Sequence, residues 1–237
     1  MVWSVWFDGH AHLALHGNSA ATGETASPLM KVNPIAKRLR PRIFSGRFIQ
    51  ALGYAAGLHA RQIRKRTERP YIGHLLNVAS IVIEYGGDEE MAIAALLHDA
   101  VEDQGGKPRL REIQRKFGKR VAYIVQGCTD SYSAPKPPWI DRKRAYLERV
   151  AAESDDVRLV SAADKLSNAR ETLHEVRVHG DAVFKRFAGK KEGTLWYYRA
   201  LLNEFRKAGS NPLVEELYRV VTELESLTGF EAAESKN

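Results

Sequence analysis

The 237 residues, 44% of them hydrophobic and 27% charged, leave room for one sizeable core and have the balance of an ordinary globular protein. A single cysteine, Cys128, excludes an intramolecular disulfide and fits a reducing, cytoplasmic compartment, and no run of about 18 apolar residues suggests a membrane span or a membrane partner. With 36 Lys+Arg against 29 Asp+Glu the net charge is +7, part of it in the run from Lys31 to Arg47, and in the absence of a nucleic-acid motif or an aromatic-interleaved basic stripe it suits a small phosphorylated molecule at least as well as nucleic acid.

Residues 1–46 read as a separate extension. The segment from Gly17 to Pro28 is rich in Gly, Ser and Thr without periodicity, as expected of disorder. Asp8, His10, His12 and His16 interrupt the only apolar N-terminal run, so no signal peptide is read there. His10, His12 and His16 look like a metal-binding tract, but their flanks are loop-like and offer no supporting partners. Met30 is an alternative start.

From Gly46 the pattern turns helical. Phe48, Leu52, Ala55, Ala56 and Leu58 recur at steps of three and four. A basic stretch from Arg61 to Arg69 ends at Pro70, which suits the first turn of a helix carrying Leu75, Val78, Ala79, Val82 and Ile83. Gly86, Gly87 and Asp88 stop that helix, and Asp88 is placed to cap the next one. Gln104 to Pro108 ends this third helix. Short helices are expected at 109–117 and 118–127, then a loop over Asp130 to Pro138 with Pro135, Pro137 and Pro138. Further helices are expected at about 139–153, 156–176, 179–187, 191–207 and 211–228. Strand-length alternation with hairpin signals is missing. The expected fold is all-α, a helical bundle with a single core.

The third helix carries the chemistry. Ala94 to Asp103 reads AALLHDAVED, with His98 and Asp99 adjacent and Glu102 and Asp103 one turn later. On a continuous helix 98 pairs with 102 and 99 with 103 at i,i+4, so the four polar side chains share one side. The helix is apolar up to that point, which puts the patch against the interior. Three carboxylates crowded there repel one another unless a cation or a proton intervenes. The alternative is a charged turn on a solvated face. Two other places offer partners. Asp164 and Asn168 stand at i,i+4 on a helix of small and apolar residues, where Asp164 is either a ligand or the partner of Lys165 or Arg170. His74 stands in the first turn of its helix, as a ligand or a core histidine. Together His74, His98, Asp99 and Asp164 supply two nitrogens and two carboxylates, a set suited to Mn²⁺, Fe²⁺ or Zn²⁺ and not to Ca²⁺ or a cysteine-rich structural site. Glu102 and Asp103, one turn away, are candidates to position or deprotonate a water.

These residues resemble the metal-dependent phosphohydrolases of the HD type, and among them the small alarmone hydrolases of the RelA/SpoT superfamily. The resemblance rests on the run His59 to Lys65, on Pro70-Tyr71-Ile72-Gly73-His74, on Leu97-His98-Asp99 and Val101-Glu102-Asp103, on Phe117-Gly118, and on Ala163 to Arg170. The motifs fall in order over roughly 47–205. What the resemblance implies is an HD phosphohydrolase domain at 47–208, with a C-terminal helix and tail at 209–237 packed on it. It implies Mn²⁺-dependent removal of the 3′-diphosphate from guanosine tetra- or pentaphosphate, leaving GDP or GTP and pyrophosphate. His74, His98, Asp99 and Asp164 would hold the metal, and Glu102 and Asp103 would activate the water. Arg64 and Lys65 would pack on the base and ribose-phosphate, Asn168 would bond the nucleotide, and Tyr198 would line the pocket. Lys136, Lys143 and Arg144 would receive the 5′ phosphates.

Leu75 follows His74 where many relatives have Pro, and Glu68-Arg69-Pro70 replaces a Gly-containing approach beside the expected base pocket. Base preference is therefore more open than the chemistry. A related phosphohydrolase acting on adenosine alarmones or NADPH, a non-catalytic nucleotide sensor, and a nucleic-acid binder with steep salt dependence are the competing readings.

Overall fold

A computed structural model describes residues 44–64, 68–132 and 135–230. Nearly all of the N-terminal extension, with His10, His12 and His16, lies outside the described residues, as does Lys65. Among the described residues ten α-helices follow in order: α1 Gly46–Leu58, α2 Ile72–Glu84, α3 Glu89–Leu97, α4 Ala100–Asp103, α5 Gly106–Phe117, α6 Lys119–Cys128, α7 Trp139–Val150, α8 Asp155–His179, α9 Lys190–Ala208 and α10 Pro212–Thr228. A 3₁₀ segment, Gly180–Arg186, stands where an α-helix was expected between α8 and α9. Among the described residues the only β pairing is an isolated antiparallel bridge between Ile63 and Pro70, and no helix is long and apolar enough to cross a membrane.

The helices begin where their caps stand. The Asp88 carboxylate accepts from the Met91 N–H at 3.0 Å, and Asn211 does the same for Val214 at 3.0 Å, each satisfying a donor that the first turn leaves open. Gly118, with φ at +95°, makes the corner between α5 and α6 that a side-chain-bearing residue rarely adopts. Pro70 does not open α2. It stands two residues before the helix, where Tyr71 N–H donates to the Gln62 carbonyl and Arg64 N–H to the Arg69 carbonyl, each at 2.9 Å. Neither bond asks anything of the proline nitrogen.

Burial decides the packing order. Every residue of α3 from Ala92 to Leu97 is buried, so α3 is a central helix rather than an amphipathic one. It packs against α1, α2, α6 and α8. Leu96 and Leu97, both fully buried, contribute about 1.5–3 kcal/mol each by leaving water. The long helix α8 is the other axis and contacts α2, α3, α6, α9 and α10. Thus α2, the C-terminal end of α3 and the middle of α8 meet around one point, and each delivers a polar residue there.

The close approach of α6 to α8 rests on Gly127. A Cβ at that position would stand 2.5 Å from Val157 Cγ1 and 2.7 Å from Cγ2, and Val157 is itself fully buried on a helix. Alanine would gain about 1 kcal/mol of helix propensity, but the overlap is with a stiff β-branched side chain that has nowhere to turn. Gly127→Ala should therefore destabilise the fold by about 1–3 kcal/mol, read as a lower urea midpoint with an unchanged slope. An unchanged or higher midpoint would show that the two helices do not approach as closely as described.

Candidate metal centre

The stretch AALLHDAVED is not one continuous helix. It breaks at His98 and Asp99, with α3 ending at Leu97 and α4 beginning at Ala100. The cause is local. His98 Nδ1 donates to the carbonyl of Ala95 at 2.7 Å, the acceptor that a continuing helix would offer to the N–H of Asp99. Asp99 then adopts φ −92°, ψ −6°, the bridge region between helix and strand. The expectation of one continuous helix through these residues is corrected accordingly. His98 and Asp99 turn toward α2 and α8, while Glu102 and Asp103 face Lys136 in the proline-rich segment. Lys136 Nζ lies 2.7 Å from Glu102 Oε1 and 3.5 Å from Asp103 Oδ1.

His74, His98 and Asp99 offer ligand atoms that all lie within 4.8 Å of one another. His98 Nε2 is 3.0 Å from Asp99 Oδ2, and His74 Nε2 is 3.7 Å from the same oxygen. Asp164 Oδ1 stands 3.2 Å from His74 Nε2 and 3.6 Å from His98 Nε2. The two imidazoles meet edge to face, 5.2 Å between centroids.

The tautomer of His98 tests whether these residues suit a cation. A backbone carbonyl only accepts, so Nδ1 carries the hydrogen and the neutral ring presents a lone pair at Nε2. That atom is buried and has no hydrogen-bond partner. A lone pair aimed at carboxylate oxygens is repulsive unless a cation or a proton lies between them. His74 is held in the same manner: Ser167 Oγ, which accepts from Asn77 Nδ2 at 2.8 Å, lies 3.2 Å from its Nδ1 and leaves Nε2 facing inward. Both rings are thus gripped through Nδ1 and point Nε2 at the carboxylates, as ligating histidines do. The donor set fits a divalent ion.

The electrostatics carry the same imprint. Burial opposes a charge on Asp164, yet Lys165, His74 and His98 hold its carboxyl well below the usual carboxylate range. Burial opposes ionisation of Asp99 too, and His98 in turn holds it down. Burial works against a proton on His98, but the facing carboxylates outweigh it and raise its basicity; for His74 burial wins and lowers it. Lys165 stays an ammonium against burial because of Asp164, whose Oδ2 it reaches at 2.6 Å. Of the two partners expected for Asp164, Lys165 is the one found, and Arg170 turns outward to Glu216 at 3.0 Å.

Asn168 Nδ2 donates to Asp164 Oδ1 at 2.6 Å, and Asn168 Oδ1 accepts from Arg64 Nη2 at 2.7 Å. Arg64 also binds Glu171 and lies over the ring of Tyr71, 5.5 Å from its centroid. Tyr198 is buried, its hydroxyl 3.3 Å from Thr172 Oγ1, and burial pushes its phenol up to about 12. Lys143 is bound to Asp130 and lies over the ring of Tyr197. Arg144 is exposed on α7. The sequence reading missed Tyr71 as a site residue. Its hydroxyl donates to Asp99 Oδ2 at 2.5 Å, and burial together with Asp99 pushes the phenol far up, so it stays a donor. Its place three residues before His74 in a quoted motif was the available signal.

Comparison with known proteins follows the same residues. A family model described as HD domain matches residues 51–195. The guanosine-3′,5′-bis(diphosphate) 3′-pyrophosphohydrolase MESH1 of Xenopus tropicalis is 41% identical over 126 residues, which are 52% of this chain and 68% of that one. The human protein of the same name is 37% identical over 130 residues, 54% of this chain and 70% of that one. A solved structure described as a metazoan ortholog of SpoT that hydrolyzes ppGpp aligns with a TM-score of 0.63 and 28% identity, covering 77% of this chain and 97% of that one. A structure from Listeria monocytogenes aligns at 0.56 and 30% identity, covering 66% and 99%. The family model spans the helices that bring His74, His98, Asp99 and Asp164 together, and with these relatives it shows that the chain belongs to the HD-domain family.

Proposed function

We propose that this protein is a divalent-metal-dependent pyrophosphohydrolase that removes the 3′-diphosphate from guanosine 3′,5′-bis(diphosphate) and its 5′-triphosphate counterpart, yielding GDP or GTP and pyrophosphate. One observation carries the reading: two imidazole nitrogens and two carboxylates converge, with His98 Nε2 buried and lacking a hydrogen-bond partner. The names of the similar proteins supply the substrate class.

His74, His98, Asp99 and Asp164 would hold the ion, for which Mn²⁺ is the proposal and Fe²⁺ or Zn²⁺ suit the same donors. When bound, it would polarise a phosphoryl oxygen and acidify a water. Glu102 and Asp103 would orient the attacking water and take its proton. The water oxygen bonds to phosphorus, the bond from phosphorus to the ribose 3′ oxygen breaks, and the proton passes to that oxygen. Lys136, bridging the two carboxylates, would fix their separation and meet phosphate, and Lys143 and Arg144 would receive the 5′ phosphates. Arg64 and Asn168, bonded to each other beside Asp164, would hold the nucleoside along with Lys65. Tyr198 would close the floor under them.

Three outcomes are expected. Metal-stripped protein given Mn²⁺ should release pyrophosphate from the guanosine compound in preference to its adenosine counterpart. Orthophosphate from NADPH as the main product would overturn the substrate assignment. Glu102→Gln should keep its metal and lose about 10²–10⁴-fold in kcat, whereas normal turnover would remove Glu102 from the reaction. Asp164→Ala should lose both the ion and the activity, and full metal stoichiometry in that variant would exclude it as a ligand.

A further inference from the structure

Behind the carboxylate pair stands a short polar chain with an unusual cost. Asp103 Oδ2 accepts from Gln62 Nε2 at 2.9 Å. An ionised carboxylate only accepts, so the Gln62 amide must face it with nitrogen and turn Oε1 the other way. That oxygen meets His59 Nδ1 at 2.8 Å and Gln104 Nε2 at 2.6 Å. His59 must therefore carry its hydrogen on Nδ1, which leaves Nε2 as a bare acceptor. His59 Nε2 is indeed buried with no hydrogen-bond partner, in a residue that is 2% exposed. A buried acceptor without a donor destabilises a fold, and an apolar residue in its place would not incur that penalty. The same imidazole stacks on Tyr71, ring centroids 5.3 Å apart and planes within 19°, and Tyr71 donates to Asp99 Oδ2. Gln62 and Asp103 together form part of the wall of a cavity of about 570 Å³ beside Leu58, Arg61 and Gln104, so the bond between them faces open space.

We infer that Gln62 is a positioning residue that aims the Asp103 carboxylate, and that His59, with Gln104 beside it, fixes the Gln62 amide in the one orientation that can do so. The Nδ1–H of His59 and the Gln104 amide hold the same Gln62 oxygen away from Asp103, and His59 does so at a cost in stability. The inference rests on the role proposed above for Asp103.

Gln62→Met keeps length and volume and removes all three side-chain bonds. It should lower kcat on guanosine 3′,5′-bis(diphosphate) by about 10–100-fold while KM and Mn²⁺ affinity by calorimetry stay near the parent values, and Tm should fall by only a few degrees because the buried His59 Nδ1–H loses its acceptor. His59→Leu should lose kcat to a similar degree and melt at the same temperature or higher. His59→Asn, whose amide nitrogen can stand where Nδ1 stands, should recover much of that loss. Unchanged kcat in Gln62→Met, or a loss in Tm and Mn²⁺ affinity that accounts for the lost rate, would overturn the inference. So would His59→Asn that is no better than His59→Leu. A parent protein that releases no pyrophosphate would instead overturn the substrate assignment, and the stability and metal measurements on the variants would then separate the two failures.

Discussion

The hydrogen bond from His98 Nδ1 to the Ala95 carbonyl is the contact on which the site depends. It withdraws one acceptor from the helix ladder and so ends α3 at the point where its buried run ends. It also sets the tautomer that leaves Nε2 bare. The same bond therefore shapes the backbone, turns Asp99 into the interior and makes an imidazole ready to ligate. The helix break and the choice of tautomer both follow from a carbonyl being an acceptor alone.

Around that contact the protein assembles a shell that makes buried charge tolerable. Lys165 neutralises the outer oxygen of Asp164, Asn168 bonds the inner one, and Tyr71 bonds Asp99. Lys165 in turn lies 5.3 Å from the centre of the Tyr146 ring. Each carboxylate thus has a fixed donor besides the facing imidazoles, which limits how far either can swing. These donors come from α8 and from the segment before α2. That explains why the packing of α2 and α3 on α8 has to be close: an error of an ångström in one helix would open the donor set.

Much of this was legible in the residues. Helical periodicity, the Asp88 cap and the glycine stops place the helices within a few residues of where they stand, because those signals act over one or two turns. The convergence of His74, His98, Asp99 and Asp164 was also readable as chemistry, since carboxylates on an apolar face need a partner. The break at His98 was not readable. It depends on a rotamer choosing a carbonyl in competition with the backbone, and helix propensity through AALLHDAVED points to continuity. Pro70 was misread for a related reason. Proline suits a first turn and equally suits a bridge that leaves its nitrogen unused, and only the pairing of Ile63 with Pro70 decides between them. Tyr71 and Gln62 are visible in the motifs, but their bonds to Asp99 and Asp103 cross 28 and 41 positions in the chain, beyond what local pattern reports.

The account turns on whether one ion is gripped by residues from three helices. Anomalous scattering from a crystal of the protein grown with Mn²⁺ tests this directly. The account predicts a single strong peak per chain, bonded to Nε2 of His74, Nε2 of His98 and a carboxylate oxygen of each of Asp99 and Asp164. A peak elsewhere, or one that leaves either imidazole unbound with His98 Nδ1 still on the Ala95 carbonyl, would contradict it.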